Sequence, residues 1–148
     1  MQDLVLVVDQ DADERRRIAA VLASDGLDVA QRATPIEGVN GVLDMKPALI
    51  VLAEETNPLE ITEVISLTRR LTAAPVMVVG GGGTNREAEA LQRGADTYLP
   101  RPFTVGELAS RARMLIRRRE DAEEERGRGR HGESSTAELL VSHLTKVS

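Results

Sequence analysis

Short apolar runs and amphipathic stretches alternate along most of the chain. The first run, Leu4–Val8, reads Leu-Val-Leu-Val-Val and shows no polar alternation, which is typical of a strand covered on both faces. Apolar runs bounded by turn residues predict five β-strands in total. They are Leu4–Val8, Leu27–Ala30, Ala48–Leu52, Val76–Val79 and Thr97–Leu99.

A helical pattern follows each strand, with apolar residues three or four positions apart. Several of these stretches carry start or stop signals. The signals are an N-cap candidate at Asp11, the pair Thr34-Pro35, capping boxes at Thr84–Glu87 and Thr104–Glu107, and a terminating Gly94.

Five strands that are each followed by a helix predict an α/β fold with a doubly wound parallel sheet. In such a sheet, ligands bind at the carboxyl ends of the strands. Those ends are predicted at Asp9, Ala53, Gly80 and Pro100-Arg101.

Composition narrows the classes of function. The chain has 148 residues, a length that holds one domain and a modest tail. It contains no Cys, and both His residues, His131 and His143, lie after residue 119, so we exclude a thiolate, zinc or His-based catalytic site in the domain. The net charge of −5 argues against a nucleic-acid-binding surface over the domain. Without a membrane-length apolar run or a secretory signal, we expect a soluble cytoplasmic protein.

The composition changes after Arg119. Residues 120–125 are mostly acidic, and residues 126–132 are rich in Gly and Arg and contain no apolar residue. We expect a domain over residues 1–119 and a charged, Gly/Arg-rich linker over 120–133, beginning as a solvated helix extension. Residues 134–148 are expected to form a short amphipathic tail or the start of a further segment.

The segment Gly94–Phe103, Gly-Ala-Asp-Thr-Tyr-Leu-Pro-Arg-Pro-Phe, is the most specific in the chain and contains both of its aromatic residues. It follows Asp9-Gln10-Asp11, the run Lys46–Leu52 and the run Ala73–Val79 in that order. Together these features resemble the receiver domain of bacterial response regulators over residues 2–119. The resemblance implies a flavodoxin-like (βα)5 fold with strand order 2-1-3-4-5.

The resemblance also implies a phosphorylation pocket. A receiver uses a phosphoacceptor Asp after the third strand, two acidic residues that hold Mg²⁺ after the first, a Ser/Thr after the fourth and a Lys after the fifth. In a receiver, the Mg²⁺ ion and the Lys neutralise the charge of the transferred phosphoryl group. The positions that match in this sequence are Asp9, Gln10, Ala53, Gly80 and Arg101. Only Asp9 keeps the expected residue type, so the pocket is degenerate.

The register at the acceptor position has two solutions. Counting from Pro47 places the acceptor at Ala53, which has no nucleophile, whereas counting back from Pro58 places it at Glu54. The run Leu49–Leu52 is uniformly apolar, so the alternation of side chains does not show whether Ala53 or Glu54 occupies the acceptor position. Glu54 is either a solvated loop residue or a permanent carboxylate near Arg101 that imitates the charged state.

Tyr98 matches the aromatic residue that switches position in receivers. Because Gly80 leaves space where a Thr side chain would sit, Tyr98 is either already settled inward or an ordinary strand aromatic. The glycines at 80–83 have no Gly-Lys-Ser/Thr ending, so we interpret them as a loop and not as a phosphate-binding motif.

We therefore predict a phosphorylation-independent, receiver-like signalling module of a bacterial two-component pathway, not an enzyme, that acts by protein–protein interaction. The alternatives are a receiver controlled by a non-covalent ligand and one that still accepts a phosphoryl group, with Glu54 as the acidic group. We expect no cofactor, no bound Mg²⁺, no nucleic acid and no membrane. The partner is a signalling protein or a second copy, bound through helix 4, strand 5 and helix 5. By analogy with the family, that face carries Glu89, Arg93, Asp96, Arg111 and Arg118.

Overall fold

Five strands and five helices alternate without exception in the computed structural model, which describes residues 3–54 and 58–128. The strands are β1 (Leu4–Val8), β2 (Asp28–Arg32), β3 (Leu49–Ala53), β4 (Val76–Gly80) and β5 (Thr97–Pro100). The helices are α1 (Ala12–Ser24), α2 (Pro35–Met45), α3 (Pro58–Leu71), α4 (Thr84–Arg93) and α5 (Val105–Arg128). All strand pairs are parallel, in the order β2-β1-β3-β4-β5, which confirms the predicted fold class and strand order.

Two apolar clusters cover the two faces of the sheet. Alternate residues of β1 divide between them, because Leu6 packs with α2 and α3 whereas Val5 and Val7 pack with α1 and α5. The central strands β3 and β4 are buried along their whole length. Each fully buried aliphatic side chain contributes about 1.5–3 kcal/mol relative to exposure. The sheet is therefore a rigid platform for the residues at the ends of its strands.

Three of the predicted helix starts are confirmed by their hydrogen bonds. The side chain of Asp11 accepts from two N–H groups in the first turn of α1, and Thr34 accepts from Glu37 N–H in α2. Thr104 and Glu107 form the predicted capping box before α5. These short polar side chains satisfy N–H groups that would otherwise lack partners at a helix start.

The capping box predicted at Thr84–Glu87 is wrong. Thr84 is already helical, Gly83 takes the N-cap position, and no side chain caps α4. Gly83 has φ 104°, a left-handed conformation that glycine adopts without a steric penalty. Gly94, with φ 119°, ends α4 as predicted.

Some boundaries differ from those predicted. The edge strand β2 lies later, at Asp28–Arg32, because its backbone pairs with β1 through Arg32 even though its side chains are largely polar. β3 begins one residue late and extends through Ala53.

The end of α5 lies in the segment that was predicted to begin as a helix extension. The helix continues to Arg128, so residues 120–128 of the predicted linker are helical, and Arg119 pairs with Glu123 one turn later. The chain divides into two units, Met1–Ile116 and Arg117–Ser148. The rest of the predicted linker and the predicted tail lie outside the described residues.

Candidate functional site

The carboxyl ends of β1, β3, β4 and β5 meet at one edge of the sheet. A cleft of about 620 Å³ opens there, and we call it the carboxyl-edge pocket. All but one of its lining residues carry a charge, so its chemistry depends on which charges are paired. The lining residues are Asp11, Glu14, Arg17, Glu54, Gly81, Arg86 and Arg101.

Glu54 lies directly after β3 and turns its carboxylate into this pocket. Its N–H donates to the carbonyl oxygen of Val79 at 2.6 Å, and the residue is only 4% exposed. Oε1 accepts from Arg86 Nη1 at 2.8 Å, and Oε2 accepts from the Tyr98 hydroxyl at 3.2 Å. The interpretation of Glu54 as a solvated loop residue is therefore wrong. Its carboxylate is also not the group that binds Arg101, whose Nη1 donates instead to the Glu54 backbone oxygen at 3.2 Å.

Tyr98 points inward from β5 and is 2% exposed. Its hydroxyl donates to Glu54 and accepts from Gly82 N–H at 3.0 Å. A Cβ atom added to Gly80 would lie 2.6 Å from the Tyr98 Cζ atom and closer still to the hydroxyl oxygen. The ring thus occupies this position because residue 80 has no side chain. Burial raises the pKa of Tyr98, and the neighbouring Glu54 carboxylate raises it further.

Glu14, in the first turn of α1, forms a bidentate ion pair with Arg101. The Nε and Nη2 atoms of Arg101 donate to the two carboxylate oxygens at 2.6 and 2.7 Å. These hydrogen bonds hold the pKa of Glu14 below its usual value of 4.5, against the opposing effect of burial. The cation at the position that the resemblance assigns to Lys is therefore directed at α1.

Asp9 follows β1 and is 1% exposed. Its Oδ1 accepts from Asp11 N–H at 2.9 Å. Its backbone oxygen accepts from Arg15 Nη1 at 2.8 Å. Asp11 itself caps α1 by accepting from the N–H groups of Asp13 and Glu14. The acidic residues after β1 thus hold the start of α1 in place.

The remaining degenerate positions lie at the same edge of the sheet. Ala53 is the last residue of β3 and is buried. If the acceptor position is counted from Pro47, the methyl group of Ala53 therefore lies where a receiver has its nucleophilic carboxylate. Gly80 ends β4, and its carbonyl oxygen accepts from Arg101 N–H at 2.8 Å. Gln10 is exposed. The carboxylate found at the end of β3 belongs to Glu54.

The donor atoms of this pocket do not fit Mg²⁺, which the receiver resemblance implies. Mg²⁺ needs near-octahedral oxygen ligands at about 2.0–2.1 Å, with carboxylates among them. Ala53 supplies no ligand, and both carboxylate oxygens of Glu14 and of Glu54 are already hydrogen-bonded within the chain. Within residues 3–54 and 58–128, no three or more His, Cys, Asp or Glu residues are grouped so that they could hold a metal ion.

Two of the five residues predicted for the interaction face are held by internal contacts. Asp96 Oδ2 accepts from Val76 N–H at 2.7 Å. Arg111 Nη1 donates to Thr97 Oγ1 at 2.8 Å and to the Tyr98 backbone oxygen at 3.0 Å. These contacts give both residues a structural role. Asp96 is nevertheless exposed, as are the other three residues, Glu89 and Arg93 on α4 and Arg118 on α5.

Sequence reasoning missed Glu14 and Arg86 as residues of the pocket. Glu14 has the ordinary signature of an acidic residue near a helix N-terminus. Arg86 stands inside the supposed capping box of α4, where it is expected to face solvent. Their partners, Arg101 and Glu54, are 87 and 32 positions away, so no local pattern marks either pair.

Comparison with known proteins gives consistent similarities. The chain is 34% identical over 115 residues to the KDP operon transcriptional regulatory protein KdpE of Escherichia coli, covering 77% of this chain and 51% of KdpE. It is 30% identical over 122 residues to the DNA-binding response regulator MtrA of Mycobacterium tuberculosis, covering 82% of this chain and 54% of MtrA. A CheY-like receiver domain protein of Methanospirillum hungatei superposes with a TM-score of 0.77 at 21% identity, over 82% of this chain and 99% of that chain. No family model matches the chain.

These relatives correct one expectation. We expected no nucleic-acid partner, but the named relatives are DNA-binding or transcriptional regulators, so that expectation is wrong. The net charge of −5 bears only on the surface of this chain, and not on the parts of these relatives that lie outside the match. The chain spans about half the length of the curated relatives it matches. None of the helices in the described ranges is long and apolar enough to cross a membrane. Fold and sequence similarity together support a response-regulator receiver domain of the CheY-like type in this chain.

Proposed function

We propose that this chain is a receiver-like signalling module whose signalling state is set without phosphorylation, and that it acts by binding a protein partner in a two-component pathway. One observation carries the proposal. The carboxylate at the end of β3 is Glu54, which is buried and bound by Arg86 and Tyr98, while the preceding residue is Ala53.

Phosphoryl transfer to a receiver requires a free carboxylate with a cation beside it. Ala53 has no such group, and to attack a phosphodonor Glu54 would have to leave its partners. A hydrogen bond to a charged group contributes about 1.5–3 kcal/mol, so separation from Arg86 and Tyr98 is costly. Gly80 offers no hydroxyl, and Arg101 is bound to Glu14. Each part of the transfer machinery is therefore missing or engaged elsewhere, and we expect no enzymatic turnover.

The same contacts connect the pocket to the surface that a partner would meet. Arg86 lies in the first turn of α4, three residues before the exposed Glu89. Its ion pair with Glu54 therefore connects the start of α4 to the end of β3. We propose that this fixed α4 surface, including Glu89 and Arg93, contributes to the interaction face in a constitutive form. Because the relatives include regulators of transcription, we further propose gene regulation as the output of the pathway.

A second candidate is a receiver controlled by a non-covalent anion. The observation in its favour is the 620 Å³ pocket, which three guanidinium groups line. Two of these groups, Arg86 and Arg101, are already paired with carboxylates, whereas Arg17 is exposed. An anionic ligand would have to compete with those carboxylates, which makes this the weaker candidate.

The test is incubation of the full chain with acetyl phosphate and Mg²⁺, followed by intact mass measurement. We expect no phosphoryl adduct, while a receiver with an intact acceptor, run in parallel, gains one. An adduct in the wild type that hydroxylamine removes, and that Glu54→Gln abolishes, would show Glu54 to be an acceptor and overturn the proposal. Saturable amide shifts at Asp9, Gly80 and Arg101 with Mg²⁺ and beryllofluoride would favour the second candidate.

A further inference from the structure

Arg101 joins three separate parts of the fold at the carboxyl-edge pocket. Its backbone N–H donates to the Gly80 oxygen, which anchors the residue directly after β5. From there, two guanidinium nitrogens reach the carboxylate of Glu14 on α1, and the third reaches the backbone oxygen of Glu54. All three nitrogens of one cation are therefore used at an edge where several strand ends meet.

The groups around Arg101 need a positive charge. Glu14 and Asp9 are both buried carboxyl groups, and they lie near each other at the start of α1. Two neighbouring acidic groups out of water repel each other when ionised, and burial alone disfavours each charge. The bidentate contact of Arg101 offsets this, since it keeps Glu14 ionised in spite of burial.

We propose that Arg101 is a permanent, protein-borne replacement for the divalent cation at this pocket. The proposal rests on the proposed function, because it concerns the same pocket, but it makes a separate claim about its counter-ion. A metal ion dissociates, so a pocket that depends on one responds to its concentration. A guanidinium group remains charged at any physiological pH and stays attached to the chain. The pocket should therefore be indifferent to divalent cations.

Removal of Arg101 should expose the carboxyl groups that it now neutralises. Without it, the carboxylate of Glu14 loses two short hydrogen bonds and the guanidinium group with which it forms an ion pair. The freed carboxylate oxygens of Glu14 are ligands of the type that Mg²⁺ prefers, and one or two carboxylates are enough when water fills the other positions. A variant that lacks the cation should therefore be destabilised and should acquire a response to Mg²⁺ that the wild type lacks.

The experiment measures thermal unfolding of the full chain in EDTA and in millimolar MgCl₂ at matched ionic strength. We expect the Tm of the wild type to be the same in both. Arg101→Gln should lower Tm in EDTA by roughly 5 °C, and Mg²⁺ should recover part of that loss in a saturable manner. The matched control is Arg113→Gln, which removes another Arg–carboxylate pair, with Asp25 at 3.0 Å, that does not line the carboxyl-edge pocket. This control should show no Mg²⁺ response.

A second readout locates the ion. Paramagnetic Mn²⁺ should broaden amide resonances near Asp9 and Glu14 in Arg101→Gln and leave the wild type unchanged. If Arg101→Gln does not fold in either buffer, Arg101→Lys keeps the charge and should fold without any Mg²⁺ response.

Three results would overturn the inference. The first is a saturable effect of Mg²⁺ on the Tm of the wild type. The second is an Arg101→Gln variant that folds but whose Tm does not respond to Mg²⁺. The third is an Arg101→Lys variant whose Tm does respond to Mg²⁺. None of these results changes the outcome expected from incubation with acetyl phosphate. The proposed function and this inference can therefore be refuted independently.

Discussion

Replacing Gly80 with Ala should dislodge Tyr98 from the pocket and destabilise the domain. Gly80 is the last residue of β4 and has no positive φ, so Ala is compatible with its backbone. The obstacle is space, because the new Cβ would lie 2.6 Å from Tyr98 Cζ and 2.7 Å from Glu54 Oε2. Tyr98 is a rigid, buried ring and cannot give way without losing its hydrogen bonds.

The magnitude comes from three contributions. Overpacking a buried site costs about 1–3 kcal/mol, and loss of the charged hydrogen bond to Glu54 costs about 1.5–3 kcal/mol. The lower backbone entropy of the unfolded Ala variant offsets about 0.4–1 kcal/mol. We therefore expect a net loss of about 3 kcal/mol, which lowers Tm by roughly 6–12 °C for a chain of this size.

The assay combines thermal unfolding with tyrosine fluorescence. The chain contains one Tyr and no Trp, so its intrinsic emission reports on Tyr98 alone. The control is Gly81→Ala, the same change one residue later, whose Cβ would meet only the flexible end of Arg86 at 3.3 Å. A Gly80→Ala protein with the Tm and emission of the wild type would refute the reasoning. So would equal losses in the two variants.

The two shifted pKa values give predictions for opposite ends of the pH scale. The pKa of Tyr98 is raised above 10.0, so its contribution to stability is complete below pH 10 and is lost as pH rises through the native pKa. Phenolate absorbance should therefore appear only above pH 10 and together with unfolding; ionisation at the ordinary value in the folded protein would contradict this. The pKa of Glu14 is lowered below 4.5, so its contribution is present above pH 4.5 and is lost as pH falls through the native pKa. Thermal unfolding below pH 4.5 should show a weaker acid dependence in Glu14→Gln than in the wild type, and an unchanged dependence would disprove the assignment.

The strands and most of the helix starts were predictable because they depend on residues that are close together in the sequence. The apolar runs predict strands because a doubly covered strand must be apolar on both faces. The helix starts at Asp11, Thr34 and Thr104 were predictable because an N-cap is satisfied by residues two or three positions away. Thr84 shows the limit of this reasoning, since it has the same capping signature but lies within the helix that Gly83 begins.

The pocket was only half predictable for the same reason. The family resemblance located Asp9, Gly80 and Arg101, because each directly follows or ends a strand. It did not locate the partner of Arg101, since two acidic residues compete for one cation and the choice depends on three-dimensional distance. Glu54 was ambiguous because the uniformly apolar strand before it carries no phase information. The burial of Glu54 depends on its contact with Tyr98, which is 44 positions away in the sequence and which only the three-dimensional structure shows.

The distribution of charge explains why a phosphoryl group would be an unfavourable addition to this pocket. Glu14 and Glu54 are each neutralised by a guanidinium group, from Arg101 and Arg86 respectively. A phosphoryl group would bring close to two further negative charges into the same space. Two unit charges 4 Å apart repel by about 4 kcal/mol at an effective dielectric constant of 20. A receiver meets that repulsion with a metal ion and a Lys, whereas the equivalent cation here, Arg101, is already bound. This distribution of charge therefore supports the proposal that the module signals without phosphorylation.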